Sequence, residues 1–160
     1  AKEKGSFLDF ARRNAKGVSV QGIDNILINF GKCCSPIPGD EIVGFVTRGR
    51  GVTVHRAECQ NLPIMSESSD RFIEVEWDVS RKVEFQSQLK VMAEDRKGYL
   101  KDVTEAISSL NVNITSVDTK VEDGIASCLI IISVLNVRRL NNVIRKIENL
   151  SGTTIVERSN

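Results

Sequence analysis

Apolar positions recur every second residue through the first half of this chain, and in the second half they switch between that period and a helical one. Val18 and Val20, then Ile26, Ile28 and Phe30, alternate with polar or small residues, and Gly22 with Asp24-Asn25 marks a bend between them. Two strands, or one bent strand, are expected there. Residues 42–47 and 51–55 predict two more, joined by Arg48-Gly49-Arg50, where the glycines flanking Arg50 supply the positive φ that a tight hairpin needs. Residues 56–61 read as a short helical turn ended by Leu62-Pro63, and 65–70 as a polar Ser/Glu loop. Residues 71–78 read as a closing strand through Ile73, Val75 and Trp77, with Phe72 offset.

The second half is more regular. Residues 85–93 alternate with Leu89, Val91 and Ala93 on one face, Asp95-Arg96-Lys97-Gly98 makes a turn, and Leu100, Val103, Ile107 and Leu110 carry helical spacing over 99–110. A strand over 112–121, a hairpin turn at Glu122-Asp123-Gly124 and a strand over 125–135 follow. A second amphipathic helix over 138–150 uses Leu140, Val143, Ile144 and Ile147, and 153–157 makes a last strand. The order βαββαβ packs as a four-stranded antiparallel sheet, first and third strands central, with both helices on one face. The run 128–132 is apolar on both faces, so the face away from the helices is expected to be covered, by a second copy or by the first domain, with Cys128 in the core.

The fold class that results is α+β: a small, mostly-β domain over 18–78, a linker at 79–84 around Ser80-Arg81-Lys82, and a ferredoxin-like βαββαβ domain over 85–160. Residues 1–17 read as a linker or frayed helix, with five basic and two acidic side chains over 1–16 and one short apolar stripe. The start at Ala1 without an initiator Met hints at a piece of something longer.

Composition narrows the function. With 41% hydrophobic and 27% charged residues the chain is globular, and its net charge of +1 excludes a strongly basic nucleic-acid binder, so any such contact must rest on a local cluster. No apolar run approaches the ~20 residues of a membrane helix, and a cytoplasmic location is expected. Four cysteines, two of them adjacent, fit reduced thiols better than a disulfide framework.

The chemistry is concentrated in 31–40 and 54–59. These stretches hold Cys33, Cys34 and Cys59, the only histidine, His55, and Pro36 and Pro38 of the three prolines. The prolines and Gly39 present the adjacent thiols on rigid loop backbone, and the spacing of His55 and Cys59 would put both on one face of a helical turn. Three thiolates and one imidazole are the ligand inventory of a structural zinc site, provided the backbone between Cys33 and Cys34 bends sharply. Packed or hydrogen-bonded thiols are the competing interpretation. At the hairpin tip, Arg48 and Arg50 on bare backbone suit phosphate, or are simply solvated.

The segment Cys33-Cys34-Ser-Pro-Ile-Pro-Gly-Asp40 followed by Ile42-Val-Gly-Phe-Val-Thr-Arg-Gly-Arg-Gly-Val-Thr-Val-His-Arg-Ala-Glu-Cys59 resembles the zinc-finger or RIS domain of the long Rel/SpoT-type stringent-response enzymes, which make and hydrolyse (p)ppGpp. Asp95-Arg-Lys-Gly98-Tyr-Leu and Asn111-Val-Asn-Ile114 resemble the ACT domain that follows it in that family. The resemblance implies a non-catalytic regulatory fragment that couples ribosomal RNA and tRNA contact, or amino-acid binding, to catalytic domains of the same parent chain. It carries Cys33, Cys34, His55 and Cys59 onto the family's zinc ligands and Arg48, Arg50 and Arg56 onto its basic surface. Arg96, Gly98, Tyr99 and Asn113 fall at the ACT ligand loop, where a branched-chain amino acid would bind at a homodimer interface. One histidine cannot furnish the family's hydrolase site, and no nucleotide-binding motif is visible. The alternative is an amino-acid-sensing ACT dimerisation module with no RNA role.

Overall fold

A computed structural model describes residues 17–20, 26–49, 51–80 and 82–159. The linker or helix expected over 1–16, the bend at Gly22 and Asp24-Asn25, and Arg50 and Arg81 lie outside them. The chain divides into two compact units, with the boundary between Val83 and Glu84.

The first unit is built on β4 (Gly51–Arg56), which pairs in parallel with β2 (Ile28–Phe30) and antiparallel with β3 (Ile42–Thr47). The sheet order is β2-β4-β3-β5, where β5 is Phe72–Ile73. A separate two-stranded sheet joins β1 (Val18–Val20) to β6 (Val75–Trp77). The buried residues Val18, Ile28, Val52, Val54 and Val75 form the core, packed by Phe30, Ile73 and Trp77 among others. Gly44 is there for space: a Cβ on it would lie 2.8 Å from Val75 and 2.9 Å from Val52 and Ile73.

Three local expectations are corrected here. The helical turn expected over 56–61 is absent; β4 runs through Arg56, and helix α1 (Leu62–Met65) begins where a stop was expected. Pro63 sits in its first turn, where the missing N–H costs nothing. The Ser/Glu loop is a 3-10 helix over Ser66–Arg71. The closing strand is broken at Glu74, so that β5 and β6 serve different sheets.

In the second unit β7 (Phe85–Glu94), α2 (Tyr99–Ser108), β8 (Asn113–Glu122), β9 (Ile125–Val134), α3 (Val137–Glu148) and β10 (Thr153–Ser159) form a sheet of order β10-β7-β9-β8. The first and third strands are central, as the βαββαβ order demands. Helix α2 buries Tyr99, Val103, Ala106 and Ile107, whereas Leu100, expected on the core face, is 44% exposed. Helix α3 buries Leu140, Val143 and Ile147, and Asn136 caps it by accepting from the Arg139 amide at 2.9 Å. Cys128 is buried in β9.

The sheet face away from the helices is less apolar than β9 suggests. Cross-strand partners share a face, and Ile131, Leu129 and Ile125 stand opposite Gln88, Lys90 and Glu94 of β7. Lys90 also pairs with Glu157 at 4.0 Å. That face is therefore mixed, with Leu129, Ile125 and Ile155 exposed among these polar and charged side chains.

Ser87 is the one polar side chain on the buried face of β7. It is 2% exposed opposite Ile132, and its hydroxyl has no hydrogen-bond partner among the described residues. Leaving such a group unsatisfied costs about 1–3 kcal/mol. Ser87→Ala should therefore raise unfolding stability in urea by about 1 kcal/mol; a loss of stability would show that the hydroxyl is satisfied.

Candidate metal centre

The centre is assembled by the register of β2 on β4. Phe30 pairs with Val54, which sets the next residue, Gly31, against His55, and the Gly31 amide donates to the Val54 carbonyl at 2.8 Å. A Cβ on Gly31 would lie 2.5 Å from His55 Nδ1, so no other residue leaves room for the ring. The chain then turns sharply. Ser35 N donates to Gly31 O at 2.8 Å, and Ser35 adopts a φ of 40°. This is the bend that adjacent cysteines need to face one point.

Asp40 locks the far side of the loop. Its carboxylate accepts from the Ile37 amide at 2.8 Å and lies 3.9 Å from Arg56 Nε, and its carbonyl accepts from Trp77 Nε1 at 3.0 Å. Cys59 sits in the turn after β4, where its amide donates to the Arg56 carbonyl at 2.9 Å. His55 and Cys59 therefore do not share a helical turn: one lies within β4 and the other follows it.

Cys33 Sγ lies 3.3 Å from His55 Nδ1 and 3.5 Å from Cys59 Sγ, and Cys34 Sγ lies 3.5 Å from the same Nδ1. All four ligand atoms fall within 4.8 Å of one another. Ligands of a tetrahedral zinc at ~2.3 Å for sulfur and ~2.0 Å for nitrogen stand about 3.5–3.8 Å apart. Those three pair distances come within a few tenths of an ångström of that shell, the other pairs lie within 4.8 Å, and the thiols are free. The cluster can hold a metal ion.

Burial pushes the Cys34 thiol up to about 12, the nearby Cys33 and Cys59 adding to the effect against the Arg56 amide, which donates to the sulfur at 3.3 Å. Burial also raises Cys59, but the Asn61 and Leu62 amides and the neighbouring thiols outweigh it and leave its pKa below the ordinary value. Burial alone lowers His55 and keeps it neutral, the form that ligates.

A family model described as the RelA/SpoT RIS domain matches residues 18–78, and one described as the ACT domain matches residues 81–158. The chain belongs to the RelA/SpoT family. It comprises the RIS and ACT domains of the C-terminal regulatory region. It is 38% identical over 150 residues to a GTP pyrophosphokinase of Myxococcus xanthus, covering 92% of this chain and 19% of the relative. It is 36% identical over 138 residues to the GTP pyrophosphokinase of Escherichia coli K12, covering 83% and 18%. A bifunctional (p)ppGpp synthase/hydrolase RelA of Mycobacterium tuberculosis is 38% identical over 143 residues, covering 89% and 19%. The chain thus spans about a fifth of the length of these relatives. Among solved structures, the ACT domain of a GTP pyrophosphokinase from Chlorobium tepidum is similar over 48% of this chain and all of its own, at 28% identity and a TM-score of 0.45.

Of the basic residues expected to meet RNA, Arg48 is exposed at the tip of the RIS hairpin, beside Gly49 with φ 73° and before Gly51 with φ 83°. Arg50 lies outside the described residues. Arg56 is half-buried and pairs with Glu58 as well as Asp40, so it braces the metal loop.

In the ACT domain, Arg96 donates to Asp102 at 2.7 Å and to the Ser151 carbonyl at 3.1 Å, and it lies 5.2 Å over the Tyr99 ring. Tyr99 is buried and its hydroxyl bonds Thr153 at 2.7 Å. Both hold the fold together. Gly98 has φ 82°, and a Cβ there would meet nothing within 4 Å, so backbone conformation and not close approach requires glycine. Asn113 is not near it. Asn113 pairs with Ser133, level with Gln86, whereas the turn before Gly98 bonds Gly124 at the other end of the sheet. Eight strand residues separate these ends, roughly 26 Å.

Sequence reasoning overlooked Gly31 and Asp40 as parts of the centre, although both stand inside the stretch it singled out. The only local signal was a glycine two residues before paired cysteines.

With metal absent, His55 makes the RIS domain acid-labile. Its folded pKa lies below the ordinary 6.5, so the unfolded chain binds the proton first. Its contribution is fully present above 6.5 and is lost as pH falls from there through the folded value. Urea midpoints of chelator-treated chain should therefore drop between about pH 7 and pH 5, and His55→Gln should remove most of that slope; a flat profile in the parent would refute it.

Proposed function

We propose that this chain is the non-catalytic regulatory part of a (p)ppGpp synthetase/hydrolase in the cytoplasm, in which a zinc-closed RIS domain presents the Arg48 hairpin to ribosomal RNA and tRNA and controls catalytic domains elsewhere in the parent chain. The observation that carries it is the thiol–imidazole quartet inside a domain whose relatives are named GTP pyrophosphokinases. Zinc, when bound, supplies a fixed charge and a tetrahedral closure; it is a structural ion with every position taken by protein ligands. Cys33, Cys34, His55 and Cys59 would hold it. The RNA contact rests on one described arginine at a tip, consistent with a fragment of net charge +1 that binds weakly by itself.

The ACT reading is favoured by a different observation. Edge strand β8 is ten residues long, and Val117 and Val121 on it are 37% and 52% exposed. Antiparallel pairing of two β8 strands about a two-fold axis would bring Asn113 of one copy to the Glu122 end of the other, level with its Gly98 loop. A branched-chain amino acid touching both residues then binds between copies, its carboxylate at the amides opening α2. Asp102 in the first turn of α2 already bonds Arg96 and competes for that positive end, so binding should be weak.

Anaerobically purified chain should carry about one zinc and pellet with ribosomes at low salt. Arg48→Ala should weaken pelleting and reduce the salt slope by about one unit; equal pelleting at matched salt removes the hairpin from the interface. In sedimentation, Val121→Lys should shift the equilibrium to monomer with the circular dichroism unchanged, and calorimetric heats with valine or leucine should vanish with it. A monomeric parent chain that still gives those heats would refute the bridging site.

A further inference from the structure

The quartet is asymmetric toward solvent. Cys33 is exposed, whereas Cys34 and Cys59 are 2% and 7% exposed. Cys33 also lines a cavity of about 490 Å³ together with Lys32, Phe30, Phe45 and Thr53, and this gives a small solute a path to its sulfur. Cys59 Sγ lies 3.5 Å from its sulfur, 26 residues away in sequence. Side-chain rotation must shorten that gap by roughly 1.5 Å to reach a disulfide bond length.

We propose that Cys33 and Cys59 form a reversible intramolecular disulfide when the metal-free chain meets a peroxide, with Cys33 as the thiol oxidised first. The adjacent pair is disfavoured by geometry, and the Cys34–Cys59 pair by the burial of Cys34. Adjacent residues across a trans peptide have Cα atoms ~3.8 Å apart, short of the ~4.4 Å that a disulfide needs, and no peptide bond of the described residues is cis. Cys34 is shielded, and its sulfur is held by the Arg56 amide at 3.3 Å.

The chemistry balances with hydrogen peroxide as the oxidant. Cys33 sulfur attacks one peroxide oxygen, the O–O bond breaks, and water leaves carrying the thiol proton, so that Cys33 bears S–OH. Cys59 sulfur then attacks Cys33 sulfur; the S–S bond forms, the S–O bond breaks, and hydroxide leaves with the Cys59 proton as a second water. The two thiols are oxidised by two electrons and the peroxide is reduced. Thiol exchange reverses the bond. The product has lost two of its four ligands, so the device exchanges metal closure for covalent closure of the same turn. The proposal stands on thiol geometry and not on metal occupancy.

The test treats the full 160-residue chain, stripped of metal anaerobically, with equimolar hydrogen peroxide. Intact mass should fall by two hydrogens, and a non-reducing peptide map should join the Cys33 peptide to the Cys59 peptide until dithiothreitol separates them. Cys34→Ser should crosslink like the parent chain, while Cys59→Ser should leave a Cys33 sulfenic acid that dimedone traps. Zinc added before peroxide should slow the crosslink. A chain that takes up no zinc yet forms the link would refute the metal reading and support this one. A map joining Cys34 to Cys59, a link between chains, or oxygen gain without any link in the parent chain would overturn the proposal.

Discussion

The contact between the His55 ring and the bare backbone of Gly31 sets the geometry of the RIS domain. Because the ring occupies the space of a Cβ, the strand leading into the cysteine loop can run beside β4 only with glycine at that point. The loop then has nowhere to go but around the imidazole. The turn that follows, closed from Ser35 N to Gly31 O, delivers both adjacent thiols to one side of the ring. Asp40 ties the end of the same loop to Arg56 and Trp77, so the two ends of the metal segment and the closing strand β6 are held by one carboxylate and its carbonyl. A domain of this size buries a small core around Val52 and Val54 and gains much of its rigidity from such cross-ties.

Much of the architecture was legible because the local pattern and the global packing agree. In the ACT domain each strand and helix carries the period of its burial: Leu89, Val91 and Ala93 every second residue, Leu140, Val143 and Ile147 at helical spacing. The element order then leaves few topologies. In the RIS domain the strands are as readable but their partners are not. Val18 and Val20 look like any edge strand, and nothing near them indicates pairing with Val75 and Trp77 more than fifty residues on. The break at Glu74 is equally silent, since alternation continues across it. Leu62-Pro63 misled because proline marks both the end of one helix and the first turn of another.

The four side chains that could hold a metal were legible because cysteine and histidine are rare here and cluster in two stretches. What positions them was not. Gly31 acts by having no side chain, and Asp40 through one carboxylate and one carbonyl; neither leaves a pattern in composition or period. Arg56 shows the converse. The family resemblance placed it on a basic surface, but its 17% exposed side chain lies between Asp40 and Glu58.

The two domains differ in what their sites need to be complete. In the RIS domain all four candidate ligand atoms come from one copy, so a metal held there would depend on the state of the thiols and on free metal, and not on chain concentration. In the ACT domain the residues expected to hold a ligand lie at opposite ends of one sheet, with Arg96 and Tyr99 already committed to the fold. A ligand that joins Gly98 to Asn113 must be shared by two chains, and by mass action its binding and the association of copies then favour one another. A monomer would offer such a ligand only half a site.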